Sequence, residues 1–280
     1  MGSQERVWFI TGASRGFGRA FAEAALDRGD RVAATARQPE VLGELVERHG
    51  DRALPLRLDV TDRDAVKGAV DEAARVFGRL DVVVNNAGRG LMGAIEECAE
   101  QDVRDQFETN FLGALWVVQA VLPLLREQGS GHILQMTSLG GIVAFPGVGV
   151  YNATKWALEA MSESLASEVA GFGIKVTCVE PSGFRTDWWG SSLTRATPMK
   201  EYDEVLAVQR ASFTSEGGAS QPGDPALAAQ AVLEIVDSAE PPLRVLLGRR
   251  AVTTAKRAYQ ARLAEWEAWE HLAAGADGGA

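Results

Sequence analysis

Seven short apolar runs punctuate the chain, and between them lie segments with helical patterning. The runs are "VWFITG" (7–12), "RVAATAR" (31–37), "ALPLRLDV" (53–60), "LDVVVNNAG" (80–88), "HILQMTS" (132–138), "IKVTCVEP" (174–181) and "LRVLLG" (243–248). Most are apolar at consecutive positions rather than at alternate ones, as a strand covered on both faces requires. Helices are expected at about 17–28, 40–49, 63–77, 100–127, 151–170, 224–238 and 251–271. Strict strand–helix alternation, with no internal repeat and no linker, predicts one α/β domain over residues 1–280. Its core would be a doubly wound, mainly parallel sheet of seven strands with helices on both faces, binding ligands at the carboxyl ends of its strands.

Residues 184–223 break this rhythm, because about 40 residues separate the sixth run from the next helix. An insertion of that length is expected to be a substrate-binding lid or a loop. The tail "AAGADGGA" (273–280) is expected to fray. A formal net charge of −10 argues against a nucleic-acid partner, and against attachment to an anionic membrane. No apolar run is read as approaching membrane-spanning length. Cys98 and Cys178, with no signal-peptide pattern at the start, fit reduced thiols in a cytoplasmic protein. His49, His132 and His271 are scattered, so no metal site is expected.

The first run opens into "TGASRGFG", with Gly12, Gly16 and Gly18 just before a helical segment. Glycines at such a turn let the backbone approach a pyrophosphate at a helix N-terminus. The spacing is G-x-x-x-G-x-G rather than G-x-G-x-x-G. The second run ends on Ala36 and Arg37, where an NAD site would carry an acidic residue for the ribose 2′-hydroxyl. Arg37, with Arg15 inside the glycine loop, suits a 2′-phosphate and favours NADP(H) over NAD(H).

"YNATK" (151–155) sets Tyr151 one helical turn before Lys155. A phenol with a pKa of about 10 would exchange protons better near neutrality if lowered by about three units, roughly 4 kcal/mol. A charge about 4 Å away at an effective dielectric near 20 supplies roughly that much. Ser138, closing the fifth run, could donate to a developing oxyanion or simply cap a turn. Asn110 sits in the apolar segment "FETNFLGALWVVQA", where a polar side chain needs a local partner.

Together these residues resemble the short-chain dehydrogenase/reductase family, in its single-domain branch. The resemblance rests on "TGASRGFG", "DV" (59–60), "NNAG" (85–88), Asn110, Ser138, "YNATK" and "PSGFRT" (181–186), and spans nearly the whole chain. It implies a Rossmann-type fold, a nicotinamide cofactor and hydride transfer between a ketone and a secondary alcohol. Tyr151 would be the general acid/base, Ser138 the holder of the substrate oxygen, Lys155 a ribose ligand that tunes Tyr151, and Asn110 the anchor of a proton-relay water. Cofactor contacts are implied at Gly12, Ser14, Arg15, Gly16, Phe17, Gly18, Arg37, Asp59, Val60, Asn86, Ala87, Gly88, Tyr151, Lys155, Pro181, Gly183 and Thr186. One departure stands out: Ser182 follows the proline where the family usually has glycine, and Gly183 comes after it. The resemblance also implies homodimers or homotetramers, through helices 100–127 and 151–170.

Around the reacting carbon, Leu91, Met92, Val143, Phe145, Val148, Phe184, Trp188 and Trp189 are expected to form an apolar pocket. The paired tryptophans suit a lid over an apolar or aromatic carbonyl compound, or a contact within the lid or between subunits. Arg89 and Arg185 border this region and could select an acidic group. Leu263, Trp266 and Trp269 form a helical stripe better explained by packing or a subunit contact than by a ligand. The leading reading is an NADPH-dependent ketone reductase acting on a small molecule. Its alternatives are an NAD(P)+-dependent alcohol dehydrogenase working oxidatively, and a non-catalytic cofactor-sensing regulator.

Overall fold

A computed structural model describes residues 5–212 and 214–276. The strands are β1 (Val7–Ile10), β2 (Arg31–Ala36), β3 (Ala53–Arg57), β4 (Val82–Asn85), β5 (Gly90–Met92), β6 (Gly131–Met136), β7 (Ile174–Pro181), β8 (Leu193–Arg195) and β9 (Arg244–Leu247). The helices are α1 (Gly16–Asp27), α2 (Gly43–His49), α3 (Arg63–Phe77), α4 (Glu100–Phe107), α5 (Gly113–Gln128) and α6 (Gly149–Val169). They continue with α7 (Ala207–Ser212), α8 (Ser215–Ala219), α9 (Pro225–Asp237), α10 (Arg249–Ala268) and α11 (Glu270–Ala276). The seven expected strands form one parallel sheet in the order β3-β2-β1-β4-β6-β7-β9. Its order reverses between β1 and β4, so the loops leaving those strands part and open a crevice.

The period-two pleat sorts the apolar runs onto two cores. Trp8, Ile10, Val82, Val84, Leu134 and Val179 face α1 and α9, meeting Phe21, Leu26 and Val232. Val7, Phe9, Val83, Ile133 and Val176 face the opposite way, onto Val66, Val117, Val121 and Leu165 of α3, α5 and α6. The one polar atom of Trp8 is satisfied, since its indole N–H donates to Asp30 Oδ2 at 2.7 Å.

Two expectations need correction, whereas the segment 100–127 is helical throughout, with a π-helical turn at Glu108–Leu112 joining α4 to α5. Contrary to the reading of the sequence, Glu100–Gln128 does contain a stretch long and apolar enough to cross a bilayer. Val117, Val118, Val121 and Leu125 on one side of it are buried in the second core, with Trp116, Leu122 and Leu124 partly buried against that core, as in a helix covering a sheet. At the C-terminus, residues 273–276 belong to α11 rather than to a frayed tail, and 277–280 lie outside the described residues.

The insertion is folded as well. Its strand β8 pairs in parallel with β5, an element too short to be read from sequence. Glu97, just before α4, is the post to which it is tied. Its carboxylate accepts the N–H groups of Met199 (2.7 Å) and Ala94 (2.7 Å) and pairs with Arg210. Burial works to raise its pKa, but these bonds outweigh it and hold the carboxyl below its usual range.

Deleting part of a side chain on the two-sided core should be costly. Ile133→Ala, at a position with 0% exposure, is expected to lower the unfolding free energy in a urea titration by about 2–5 kcal/mol. Val208→Ala, at 76% exposure, should change it by less than about 0.5 kcal/mol.

Candidate active site

A cleft of about 980 Å³ runs along the carboxyl ends of β1, β2, β4, β6 and β7. Its first wall is the loop between β1 and α1. Gly12 and Gly16 adopt φ of +66° and +57°, which other residues avoid. Gly18 is needed for another reason: a Cβ there would lie 2.4 Å from the Gly12 carbonyl oxygen and 2.5 Å from Asn86 Nδ2. "NNAG" supplies the clamp. Asn86 Nδ2 donates to the carbonyls of Thr11 (2.9 Å) and Gly12 (3.0 Å), while Thr11 Oγ1 accepts the N–H groups of Asn86 (2.9 Å) and Ala87 (3.0 Å). Helix α1 starts at this loop with no side-chain cap and no acidic residue in its first turn. Its first N–H groups therefore suit an anion, and the loop fits the pyrophosphate of a dinucleotide.

Ser14, Arg15, Gly16, Phe17, Arg37, Asp59, Val60, Asn86, Ala87, Gly88, Pro181, Gly183 and Thr186 all line the cleft, as expected for cofactor contacts. Gly18 does not; it stands beneath the loop and sets its shape. Arg37 is exposed at the rim, and Arg15 donates to Ser192 Oγ at 2.8 Å. The Asp59 carboxylate accepts from its neighbour Thr61, at 3.1 Å from the N–H and 2.8 Å from the hydroxyl.

At the other end of the cleft, Ser138 follows β6 and accepts the Gly140 N–H at 3.0 Å. Tyr151 lies in the first turn of α6, with Lys155 one turn further on. The geometry does not give the lowered phenol expected from the Tyr151–Lys155 spacing. Burial pushes Tyr151 up to about 12, with its hydrogen bond to Ser138 opposing. Lys155 points elsewhere: its ammonium donates to the Met136 carbonyl at 2.7 Å and lies 5.9 Å from the centre of the Tyr151 ring. Burial also lowers Lys155 to about 8, with the Glu159 carboxylate opposing.

Asn110 sits on the π-helical turn and does not reach the cleft surface. Its Oδ1 accepts the Arg89 N–H (2.8 Å), and its Nδ2 donates to the Arg89 carbonyl (2.9 Å) and to Thr154 Oγ1 (3.2 Å). A Cβ placed on Gly88 would lie 3.4 Å from Asn110 Oδ1 and 3.8 Å from Lys155 Nζ, so Asn110 braces the wall on which the cleft is built.

The expected substrate residues divide. Phe145, Val148, Phe184, Trp188 and Trp189 line the cleft. The Trp188 ring stands edge-on to Tyr151 at 5.3 Å and meets Trp189 at 5.1 Å. Leu91 and Met92 do not line it, being buried in the β5–β8 pair, and Val143 packs instead against a separate cluster at Leu139, Ile142 and Ala251. Arg185 is engaged in structure, bonding the Gln221 and Pro222 carbonyls and Asp224 before α9. Arg89 does line the cleft, held by Asp105 (3.2 Å) and Thr194 (2.7 Å). Ser192, Thr194 and Gln221 also line it, and nothing in their local sequence pointed there. They arrive through the folding of the insertion.

Comparison with known proteins agrees with this geometry. Residues 6–196 match the family model of short chain dehydrogenases. Oxidoreductase BOA17 of Botryotinia fuckeliana is 46% identical over 268 residues, covering 95% of this chain and 97% of that one. An NADPH-dependent 3-dehydrocapnine reductase of Ornithobacterium rhinotracheale is 32% identical over 210 residues, 72% of this chain and 74% of the other. Among solved structures, a short-chain dehydrogenase from Streptomyces avermitilis superposes with a TM-score of 0.91 at 43% identity, covering 98% of this chain and 100% of that one.

Two glycines should respond oppositely to the same change. Gly18→Ala is expected to lower stability by about 1–3 kcal/mol through its clash with the Gly12 carbonyl. Gly68→Ala, in α3 with open space around it, should raise stability by about 0.5–1 kcal/mol. Chemical denaturation of both variants measures the contrast.

Proposed function

The chain belongs to the short-chain dehydrogenase/reductase family, and on that premise we propose that it is an NADPH-dependent ketone reductase acting on an apolar or aromatic substrate. The observation that carries this reading is the placement of Ser138, Tyr151 and Trp188 at one end of the cleft whose other end is the glycine loop. A fold used only to sense a nucleotide has no need of a phenol there.

The glycine loop and the start of α1 would hold the pyrophosphate, Asp59 and Val60 the adenine end, and Lys155 with Thr186 the nicotinamide end. A reduced nicotinamide bound there would supply the hydride. Ser138 donates to the carbonyl oxygen and aligns it. Tyr151 donates its proton to that oxygen as negative charge builds on it. Burial keeps the phenol protonated at neutral pH, so the proton to be donated is in place, although a pKa of about 12 makes it a weaker acid than one nearer neutrality would be. In the reverse direction the same residues would orient a secondary alcohol and take up its hydroxyl proton, with an oxidised nicotinamide as the hydride acceptor.

The preference for NADPH rests on Arg37 at the rim, Arg15 in the loop and the absence of an acidic residue closing β2. The relative from Ornithobacterium rhinotracheale, NADPH-dependent by name, supports it. The substrate class rests on Phe145, Val148, Phe184 and Trp188 around the end of the cleft. Free Cys98 and Cys178 suit a reducing, cytoplasmic compartment.

The test is NADPH oxidation with a panel of ketones. Tyr151→Phe is expected to cut kcat by about 10²–10⁴-fold while NADPH still binds. Turnover that survives in this variant would overturn the mechanism. In the wild type, the reduction rate should fall as pH rises through about 8, because the Lys155 cation that keeps the developing oxyanion favourable is lost there. Arg37→Ala should raise KM for NADPH about tenfold or more and leave NADH unchanged, since a charged hydrogen bond is worth about 1.5–3 kcal/mol.

A further inference from the structure

Helix α10 is only half docked. Ala251 and Ala255, in its first turns, are buried against Leu139 and Ile142. Beyond them, Arg262 lies over the Trp156 ring of α6 at 5.0 Å and over Tyr259 at 5.2 Å. From residue 256 to the end of α11 no side chain is buried. Yet this stretch carries Tyr259 (43% exposed), Leu263 (52%) and Trp266 (62%), spaced i, i+4, i+7 on one face, with Trp269 (59%) following. A projecting amphipathic helix of this length is marginal in water without a partner for its apolar stripe.

The charges indicate which partner. Every charged side chain of the first part is basic: Arg249, Arg250, Lys256, Arg257 and Arg262. Every one between Leu263 and the end of α11 is acidic at neutral pH, namely Glu265, Glu267 and Glu270. Such a helix is complementary to itself only when antiparallel, which is the relation given by a two-fold axis perpendicular to the helix at an isologous interface. The basic half of one copy then covers the acidic half of the other, with the tyrosine, leucine and tryptophan stripes between them. An anionic membrane fits poorly, because glutamates flank both tryptophans in "EWEAWE".

We propose that a second copy of this chain covers this stripe, through antiparallel two-fold pairing of α10 about residues 260–264. The stripe is carried by α10 rather than by the helices 100–127 and 151–170, although α10 touches the latter through Arg262 over Trp156, and the proposal does not depend on the reaction catalysed.

Sedimentation velocity on two charge variants of the full chain tests it. One variant, Glu265→Lys/Glu267→Lys/Glu270→Lys, makes the helix wholly basic; the other, Lys256→Glu/Arg257→Glu, makes its exposed half acidic. Each alone is expected to fall one association step below the wild type, with a dissociation constant raised at least about tenfold. An equimolar mixture should recover the wild-type step, because unlike helices now face each other. Leu263→Ser/Trp266→Ser should dissociate without any change of charge. All these positions are exposed, so thermal melting should confirm an intact fold. A wild-type oligomer distribution in both charge variants, or no recovery on mixing, would overturn the proposal. So would a wild type that stays one step lower in solution and instead sediments with phosphatidylserine vesicles.

Discussion

A parallel sheet covered on both faces leaves little of its backbone free for binding, and this constraint shapes the rest of the molecule. Both faces are occupied by apolar packing, from Trp8, Ile10 and Leu134 on one side and Phe9, Val83 and Ile133 on the other. Unused backbone polarity is then left at the strand ends, where chains leave the sheet. The reversal of order between β1 and β4 pulls two loops apart there. The hydrogen bonds of Asn86 and Thr11 fasten those two loops together and hold the glycine turn in its φ-positive shape. A binding loop that must expose its own N–H groups needs such bracing from behind.

The reactive end depends on burial more than on pairing. Sequence spacing alone suggests a lysine that lowers the tyrosine, but Lys155 is satisfied by the Met136 carbonyl and lies 5.9 Å from the phenol ring. Burial therefore dominates at both groups, raising the phenol and lowering the ammonium. In the proposed reduction, the Lys155 charge would act when an oxyanion forms rather than on the resting phenol. Asn110 contributes in the same indirect manner, tying down the backbone of Arg89 instead of facing the cleft.

The insertion shows how tertiary contacts can recruit residues with no local signature. Strand β8 has three residues and pairs with β5, while Glu97 anchors Met199 and Arg210 in the segment that follows. That pairing brings Ser192 and Thr194 to the cleft and removes Leu91 and Met92 from it. A three-residue strand carries no usable periodicity, so proximity in sequence to the catalytic motifs was a poor guide to which apolar side chains would line the site.

What the sequence determined by itself was what local chemistry can encode: seven buried strands through their apolar runs, the glycine turn through residues that tolerate positive φ, and the serine and tyrosine through motifs placed at element ends. Tertiary structure alone decided how groups distant in the chain meet. Tyr151 is set against Trp188, Lys155 against the Met136 carbonyl, and Arg185 is occupied with Asp224 rather than with a ligand. The division has a physical cause. Backbone preference and burial pattern act over a few residues, whereas side-chain hydrogen bonds and desolvation depend on neighbours that only the folded chain brings near.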